Sequence, residues 1–118
     1  MATPMSFTGN VTRDVSLKFS NSGMAIAEFG VAINERKKDA RGEWVDGDPT
    51  YFDVACFNSL AENVGECISR GQQVVVIGEI KQRHWEKDGE KKSKFEVVAS
   101  AVGVSLQFGV ATFEKVTA

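Results

Sequence analysis

A single helical segment between strand-like segments is the feature that most constrains the fold of this chain. Its apolar side chains recur at helical spacing and form one stripe, at Leu60, Val64, Cys67 and Ile68. Ser59 followed by Glu62 predicts a capping box at the start of the helix, and Gly71 predicts its end. Elsewhere, apolar residues alternate with polar ones or form short β-branched runs, which indicates strands. We therefore expect an all-β protein with one short helix.

The order of the strands around this helix indicates the architecture. The predicted strands are residues 5–11 with a continuation at 15–19, then 24–34, 51–57, 73–81 or beyond, and 94–102, with a last extended segment at 104–116. The β-branched run Val74–Ile77 predicts a strand that is covered on both faces. The order β-β-β-α-β-β is that of the OB-fold, a five-stranded Greek-key barrel. This fold commonly binds oligonucleotides, although it also hosts other ligands.

Composition argues against several functional classes. The 118 residues suit one domain, and no apolar run approaches the roughly 20 residues that span a bilayer. The amino terminus lacks the basic start and apolar core of a secretory signal, so we expect a cytoplasmic protein with two reduced core thiols, Cys56 and Cys67. The sequence shows no Cys/His cluster at metal spacing, no phosphate-cradling glycine loop and no nucleophile arrangement around its one histidine, His84. We therefore predict neither enzymatic activity nor a metal or cofactor.

The distribution of charge suggests a nucleic-acid ligand, although the net charge is −2. Positive charge is concentrated in residues 36–41 and 81–94. Lys81, Arg83 and Trp85 are two apart along one predicted strand and therefore share a face. Two cations beside an indole suit a flexible polyanion that carries planar rings. This stretch alone leaves open the alternative that the tryptophan is a core residue and the hairpin a solvated edge.

Two further rings belong to the predicted third strand. The core face of that strand consists of Phe52, Val54 and Cys56. This parity places Tyr51 and Phe57 outside, whereas a register slip of one residue would place them in the core. Trp44 lies in the long loop at 35–50, for which we expect some hairpin character. Trp44 either stacks on a base or closes a small local core.

Short segments along the chain carry a family resemblance. They are Phe7–Asp14 (FTGNVTRD), Ser22-Gly23 with Ala25–Phe29, Gly42–Trp44, Leu60–Val64, Arg70-Gly71, Val76–Gly78, Arg83–Glu86, Glu96–Val98 and Val102–Leu106. Together they resemble bacterial-type single-stranded DNA-binding proteins, the SSB family, over roughly residues 5–107. The resemblance implies base-stacking roles for Tyr51, Phe57 and Trp85, and a less defined role for Trp44. It also implies a homotetramer of OB domains, with the first strand as the dimer edge.

The expected function is sequence-independent binding and protection of single-stranded DNA in replication, recombination and repair. Bases would stack on the rings, and phosphates would contact the nearby cations. These cations are Arg13, Arg36, Lys37, Lys38, Lys81, Arg83 and Lys87. The alternative is an OB-fold accessory module that binds RNA, protein or sugar, since aromatic rings can also stack on sugars.

The chain divides into two predicted parts. Residues 1–108 form the OB domain, and residues 109–118 form a carboxy-terminal extension that either clamps a neighbouring subunit or frays. Many members of the family continue into a flexible tail that ends in acidic residues and recruits repair proteins. The chain resembles a short form without that tail. We expect it in the cytoplasm, associated with the nucleoid.

Overall fold

A computed structural model describes residues 2–34 and 36–116 of the protein. One helix and eight strands are found in these ranges. In chain order they are β1 (Thr3–Val11), β2 (Ser16–Phe19), β3 (Ala25–Ile33), β4 (Arg36–Lys38), β5 (Trp44–Asp46), β6 (Thr50–Phe57), α1 (Asn58–Cys67), β7 (Gln73–Lys87) and β8 (Glu90–Val104). The five predicted strands correspond to β1, β3, β6, β7 and β8, and the predicted continuation of the first strand is β2.

Five of the strands close into a barrel. The sheet has the order β1-β7-β8-β6-β3-β2, and β1 also pairs with β3 at Asn10 and Val11. β6 and β8 pair in parallel at Val54 and Ala55, whereas the other pairings are antiparallel. β4 and β5 form a separate two-stranded hairpin, which confirms the hairpin character expected around Trp44.

The core is formed by the inward faces of the strands, as their alternation predicts. On β3, Phe29 and Val31 are fully buried, and on β6 the predicted core residues Val54 and Cys56 are also fully buried. Phe52 is only partly buried, and its ring lies 5.0 Å from that of Phe7 on β1. The helix adds Ala61 and Val64 to the same core cluster, and Ile68, the residue after the helix, joins them.

The prediction that β7 is covered on both faces is wrong at its apolar start. Val74 and Val76 are fully buried, but Val75 is 38% and Ile77 is 50% exposed. The reason is architectural, because a barrel strand has the core on one side only. An unbroken β-branched run does not by itself distinguish a strand buried on two faces from one that leaves apolar side chains on the outside of the subunit.

The predicted capping box is also wrong. The helix begins at Asn58, directly after β6, and the residue before it, Phe57, is extended and makes no side-chain capping hydrogen bond. Asn58 has a φ of 62°, a left-handed conformation that asparagine tolerates better than most residues. The helix ends at Cys67, so Gly71, whose φ is 93°, lies in the turn that follows.

The two cysteines differ from each other in burial. Both are free, as predicted, and Cys56 is buried. Cys67 is exposed, so the prediction that it is a core thiol is wrong. Burial raises the pKa of the Cys56 thiol to about 11. Cys67 is the last residue of α1 and lies outside the core cluster that contains its neighbour Ile68.

The β7–β8 hairpin extends beyond the barrel. β7 continues to Lys87 and β8 begins at Glu90, four residues before its predicted start. Between them, Asp88 and Gly89 have φ values of 54° and 78°, which confirms the predicted turn with positive φ. Residues 105–116, predicted to be extended, form no strand in the structure.

Candidate nucleic-acid interface

The outward face of β6 presents the two rings that the alternation of this strand predicts. Tyr51 is 68% exposed, and Phe57 is partly buried. Asp53 lies between them on the same face, since it is two residues from Tyr51 and four from Phe57. In the antiparallel pairing of β6 with β3, Phe57 lies opposite Ile26 and Tyr51 lies opposite Ala32. The small partner opposite Tyr51 leaves its ring accessible from above the sheet.

Lys81, Arg83 and Trp85 share one face of the β7–β8 hairpin. Trp85 is 41% exposed and is paired with Lys92 of β8, while Arg83 is paired with Lys94. This face is therefore a row of cations with one indole near its end. A groove of about 410 Å³ beside the indole is lined by His84, Trp85, Glu86, Lys91 and Lys92. The indole gives this groove an aromatic wall on which a planar ring could stack, and Lys91 and Lys92 place positive charge beside it, partly offset by Glu86.

One further predicted cation lies next to the turn at the tip of this hairpin. Lys87 is exposed and is paired with Glu90 across the turn. Glu90 also lies 3.2 Å from Lys92, so the tip contains acids as well as cations. The predicted phosphate contact of Lys87 therefore lies at the end of the row formed by Lys81, Arg83 and Trp85.

Arg13 reaches this outer surface from the turn after β1. Its guanidinium lies over Gly30 of β3, where an added Cβ would come within 2.5 Å of Arg13 Nη1. Arg13 Nη2 donates to Asp53 Oδ1 at 3.2 Å, and Lys94 Nζ donates to Asp53 Oδ2 at 3.5 Å. The predicted cation Arg13 is thus brought beside the outward face of β6. A Cβ at position 30 would also come within 2.5 Å of Thr12 Oγ1, so a side chain there would displace Arg13 and Thr12 from their present positions.

Two acids on this surface were not among the predicted site residues. One is Asp53. The other is Glu96, which is buried and lies 3.4 Å from Arg83 Nη1. Both could have been found from the alternation of their strands, because Asp53 has the parity of Tyr51, and Lys94 and Glu96 share a face of β8. Their contacts with Arg13 and Arg83 depend on distant parts of the chain.

The β4–β5 hairpin carries the second group of predicted site residues. Lys38 Nζ lies 5.4 Å from the centre of the Trp44 ring, a cation–π arrangement, and both side chains are exposed. Arg36 lies 3.9 Å from Asp46, and Lys37 is paired with Val45. β4 and β5 pair with each other and not with the barrel strands, so the structure does not join this group to the sheet face through strand pairing.

Two other kinds of site are not found among the residues that the structure describes. Within residues 2–34 and 36–116, no group of three or more His, Cys, Asp or Glu side chains is arranged to hold a metal ion. In the same ranges, no helix has the length and apolar character needed to cross a membrane.

Comparison with known proteins decides the family. The model of the single-strand binding protein family matches residues 3–105, which is most of the chain. The chain belongs to the single-strand binding protein family. This confirms the resemblance found in the short sequence segments.

Among curated members of this family, two proteins match nearly the whole chain. The single-stranded DNA-binding protein of Corynebacterium glutamicum is 39% identical over 115 residues, which are 96% of this chain and 51% of that protein. The protein of the same name from Mycolicibacterium smegmatis is also 39% identical over 96% of this chain, and 70% of its own length is covered. The chain thus spans between about half and about two thirds of the length of these relatives.

Solved structures of the family share the fold. The small single-stranded DNA-binding protein from Streptomyces coelicolor superimposes with a TM-score of 0.77 at 27% identity, covering 92% of this chain and 98% of that one. The Plasmodium falciparum SSB complex with single-stranded DNA gives a TM-score of 0.78 at 19% identity, covering 89% of this chain and 96% of that one, which shows the fold alone. The predicted OB-fold barrel is therefore confirmed.

Proposed function

We propose that this protein binds single-stranded DNA irrespective of base sequence and protects strands exposed in replication, recombination and repair. The observation that carries the proposal is the outer face of the barrel. There, Tyr51 and Trp85 project outward beside Arg13, Arg83 and Lys94 in a chain of the single-strand binding family. The named relatives and structural neighbours are single-stranded DNA-binding proteins, which supports the same ligand here.

The chemistry follows from the two kinds of group on this face. Every base has a π-face, so stacking on Tyr51, Phe57 and Trp85 holds a strand without reading its sequence. Cations neutralise the phosphates and release counterions, so affinity falls as salt rises. A duplex competes poorly because its bases are already stacked on one another. No step of this scheme breaks or forms a covalent bond, so neither catalysis nor a cofactor is required.

We assign two basic segments to the path of the strand. The first is the hairpin face that carries Lys81, Arg83 and Lys87 beside the exposed indole. The second is the β4–β5 hairpin, where Arg36, Lys37 and Lys38 surround the exposed Trp44 ring. Both segments adjoin the amino-terminal end of β6, because β5 precedes β6 in the chain and β8 pairs with β6 in parallel at Val54 and Ala55.

We further propose that residues 1–108 act as an OB domain within a homotetramer. Among the described residues, β1 pairs with β7 from Thr3 to Asn10 but with β3 only at Asn10 and Val11, so one edge of β1 is free between Thr3 and Gly9. A free edge can pair with the same edge of a second copy. The exposed Val75 and Ile77 lie on the neighbouring strand and supply apolar surface for such a contact.

The carboxy-terminal extension, residues 109–118, fits the role of a clamp on a neighbouring subunit. Val110 and Phe113 are fully or largely exposed and have no core to cover in their own subunit. Thr117 and Ala118 lie outside the described residues. Light scattering of the full chain and of a chain that ends at residue 108 tests both proposals. A tetramer that dissociates on truncation supports the clamp, an unchanged tetramer refutes the clamp, and a monomeric full chain refutes the assembly.

Intrinsic tryptophan fluorescence tests the proposed ligand. Trp44 and Trp85 are the two tryptophans of the chain, and both are exposed. Titration with an oligomer of thymidine nucleotides should quench their emission, and added salt should reverse the quenching. Duplex DNA and an oligosaccharide serve as controls that should give weak or no quenching. Quenching by the sugar alone would refute the proposal and favour an OB module of another class.

A further inference from the structure

Asp53 places a negative charge in the middle of the surface that is proposed to bind a polyanion. It lies on the outward face of β6 between Tyr51 and Phe57. Its two oxygens accept from different parts of the chain, Oδ1 from Arg13 at 3.2 Å and Oδ2 from Lys94 at 3.5 Å. Both of its partners are cations that lie within reach of a strand on this face. An acid at this place requires an explanation because it repels the proposed ligand.

Structural need does not explain Asp53. Side-chain exposure is 39% for Asp53, 52% for Arg13 and 39% for Lys94, so water can solvate all three charges. Glu96 provides the contrast, because its side chain is only 7% exposed and it needs the nearby Arg83 to compensate its burial. Ion pairs between half-exposed groups contribute little to stability. The role of Asp53 therefore lies in how its two cations contact a ligand, and not in the stability of the fold.

We propose that Asp53 is an internal competitor for the phosphates of the bound strand, a role that rests on the proposed function. It holds Arg13 and Lys94 over the sheet before a strand arrives. When the strand binds, the two cations exchange the carboxylate for phosphate oxygens. The carboxylate then remains beneath the strand as an unpaired charge, and its repulsion lowers the affinity and speeds release.

The sheet surface beneath Arg13 is consistent with an exchange of its partner from Asp53 to a phosphate. The guanidinium lies against Gly30, where no side chain separates it from the sheet, and Asp53 is paired with Gly30 across β3 and β6. Of the Arg13 nitrogens, Asp53 accepts from Nη2 alone, whereas a guanidinium has five N–H donors. Arg13 therefore has donors left for a phosphate, and a change of partner requires only a rotation of its long side chain.

The substitution Asp53→Asn tests the proposal because it keeps the shape of the side chain and removes the charge. Affinity for a thymidine oligomer at low salt should rise roughly three- to tenfold, as expected for loss of a unit charge about 6 Å from a phosphate in a largely aqueous setting. The slope of log affinity against log salt should steepen by about 0.7, because the substitution raises by one the net positive charge that this cluster brings to the strand.

A matched control separates this local effect from a change in net charge. Glu66→Gln removes one negative charge from an exposed position on α1 and should leave affinity unchanged. In an Arg13→Gln background, the gain from Asp53→Asn should shrink, because one of the two cations that the substitution releases is then absent. Thermal unfolding verifies that each variant is folded, and Asp53→Ser provides a second charge-free variant.

The outcomes are distinct. If the unaltered protein does not bind the oligomer, the proposed function fails. If the unaltered protein binds but Asp53→Asn and Asp53→Ser bind equally or more weakly, the competitor role is wrong while the function stands. An equal gain from Glu66→Gln would also overturn the role, because the effect would then belong to the net charge.

Discussion

Replacing Trp85 by alanine should weaken the binding of single-stranded DNA without weakening the fold. The indole lies on the β7–β8 hairpin opposite Lys92 and is 41% exposed. It is absent from the buried core cluster, which is built from residues such as Phe29 and Val76. Removal of the indole should therefore cost little folding stability. Its exposed surface is available to stack on a base.

The expected size of the effect follows from the energy of stacking. One base stacked on an aromatic side chain contributes roughly 1–3 kcal/mol. Since about 1.4 kcal/mol corresponds to a tenfold change, Trp85→Ala should raise the dissociation constant by about 5- to 160-fold. Tyr51→Ala should act in the same direction. Fluorescence anisotropy of a labelled thymidine oligomer measures both effects and does not depend on the tryptophan that is removed.

Phe95 offers a matched control on the same hairpin. It is 61% exposed and is paired with Gln82, so it lies on the face opposite Trp85. Phe95→Ala removes a ring of comparable exposure and should leave the affinity unchanged. The reasoning would be refuted if Phe95→Ala weakened binding as much as Trp85→Ala. It would also be refuted if Trp85→Ala lowered the unfolding temperature while the folded protein bound normally.

Three further results are expected. Gly78→Ala should lower the free energy of unfolding by roughly 1–3 kcal/mol in urea titrations, because the added Cβ would collide with the backbone of β8. Gly103→Ala should leave this free energy unchanged, because a Cβ at that position meets no atom within 4 Å. The pKa of Cys56 is raised from 9.0 to about 11, so the unfolded chain loses the thiol proton at a lower pH than the folded protein does. The free energy of unfolding should therefore fall by on the order of 1–2 kcal/mol as pH rises from 9 to 11, and Cys56→Ala should remove that loss. Replacing Lys37 and Lys38 by glutamate should flatten the salt dependence of binding, and an unchanged slope would remove this hairpin from the interface.

Much of the fold could be predicted because alternation along the chain records which side of a strand faces the core. The inward set Phe29, Val31 and Val54 was correct, as was the turn at Asp88. The β-branched start of β7 was misread because apolar side chains outside a barrel leave the same pattern as a strand buried on both faces. Whether both faces of a strand are covered depends on the tertiary arrangement, about which the local pattern says nothing.

The start of the helix was missed for a different physical reason. A capping box at Ser59 is a local signal, but the chain turns from β6 into the helix one residue earlier, through the left-handed conformation of Asn58. β6 ends at Phe57 and the helix begins at Asn58, so no separate loop lies between them. Tertiary geometry therefore overrides the preference of serine for the capping position.

The outward rings of the candidate site were predictable from parity, but its charge network was not. Tyr51 and Trp85 follow from spacing within one strand, whereas the contact of Arg13 with Asp53 joins residues forty positions apart. That contact exists because a glycine on a third strand leaves room for the guanidinium. Sequence spacing contains no information about such an arrangement.

The parallel seam of the barrel has a mechanical consequence. In the described part of the chain, β6 and β8 pair only at Val54 and Ala55, while β7 and β8 are joined along nearly their whole length. The proposed track for DNA crosses this seam, and the Lys94–Asp53 contact is a side-chain tie across it. With so few backbone bonds at this joint, side chains account for much of the contact between β6 and β8. In the proposed exchange, a phosphate that takes Lys94 from Asp53 would therefore also remove one of the ties that close the barrel.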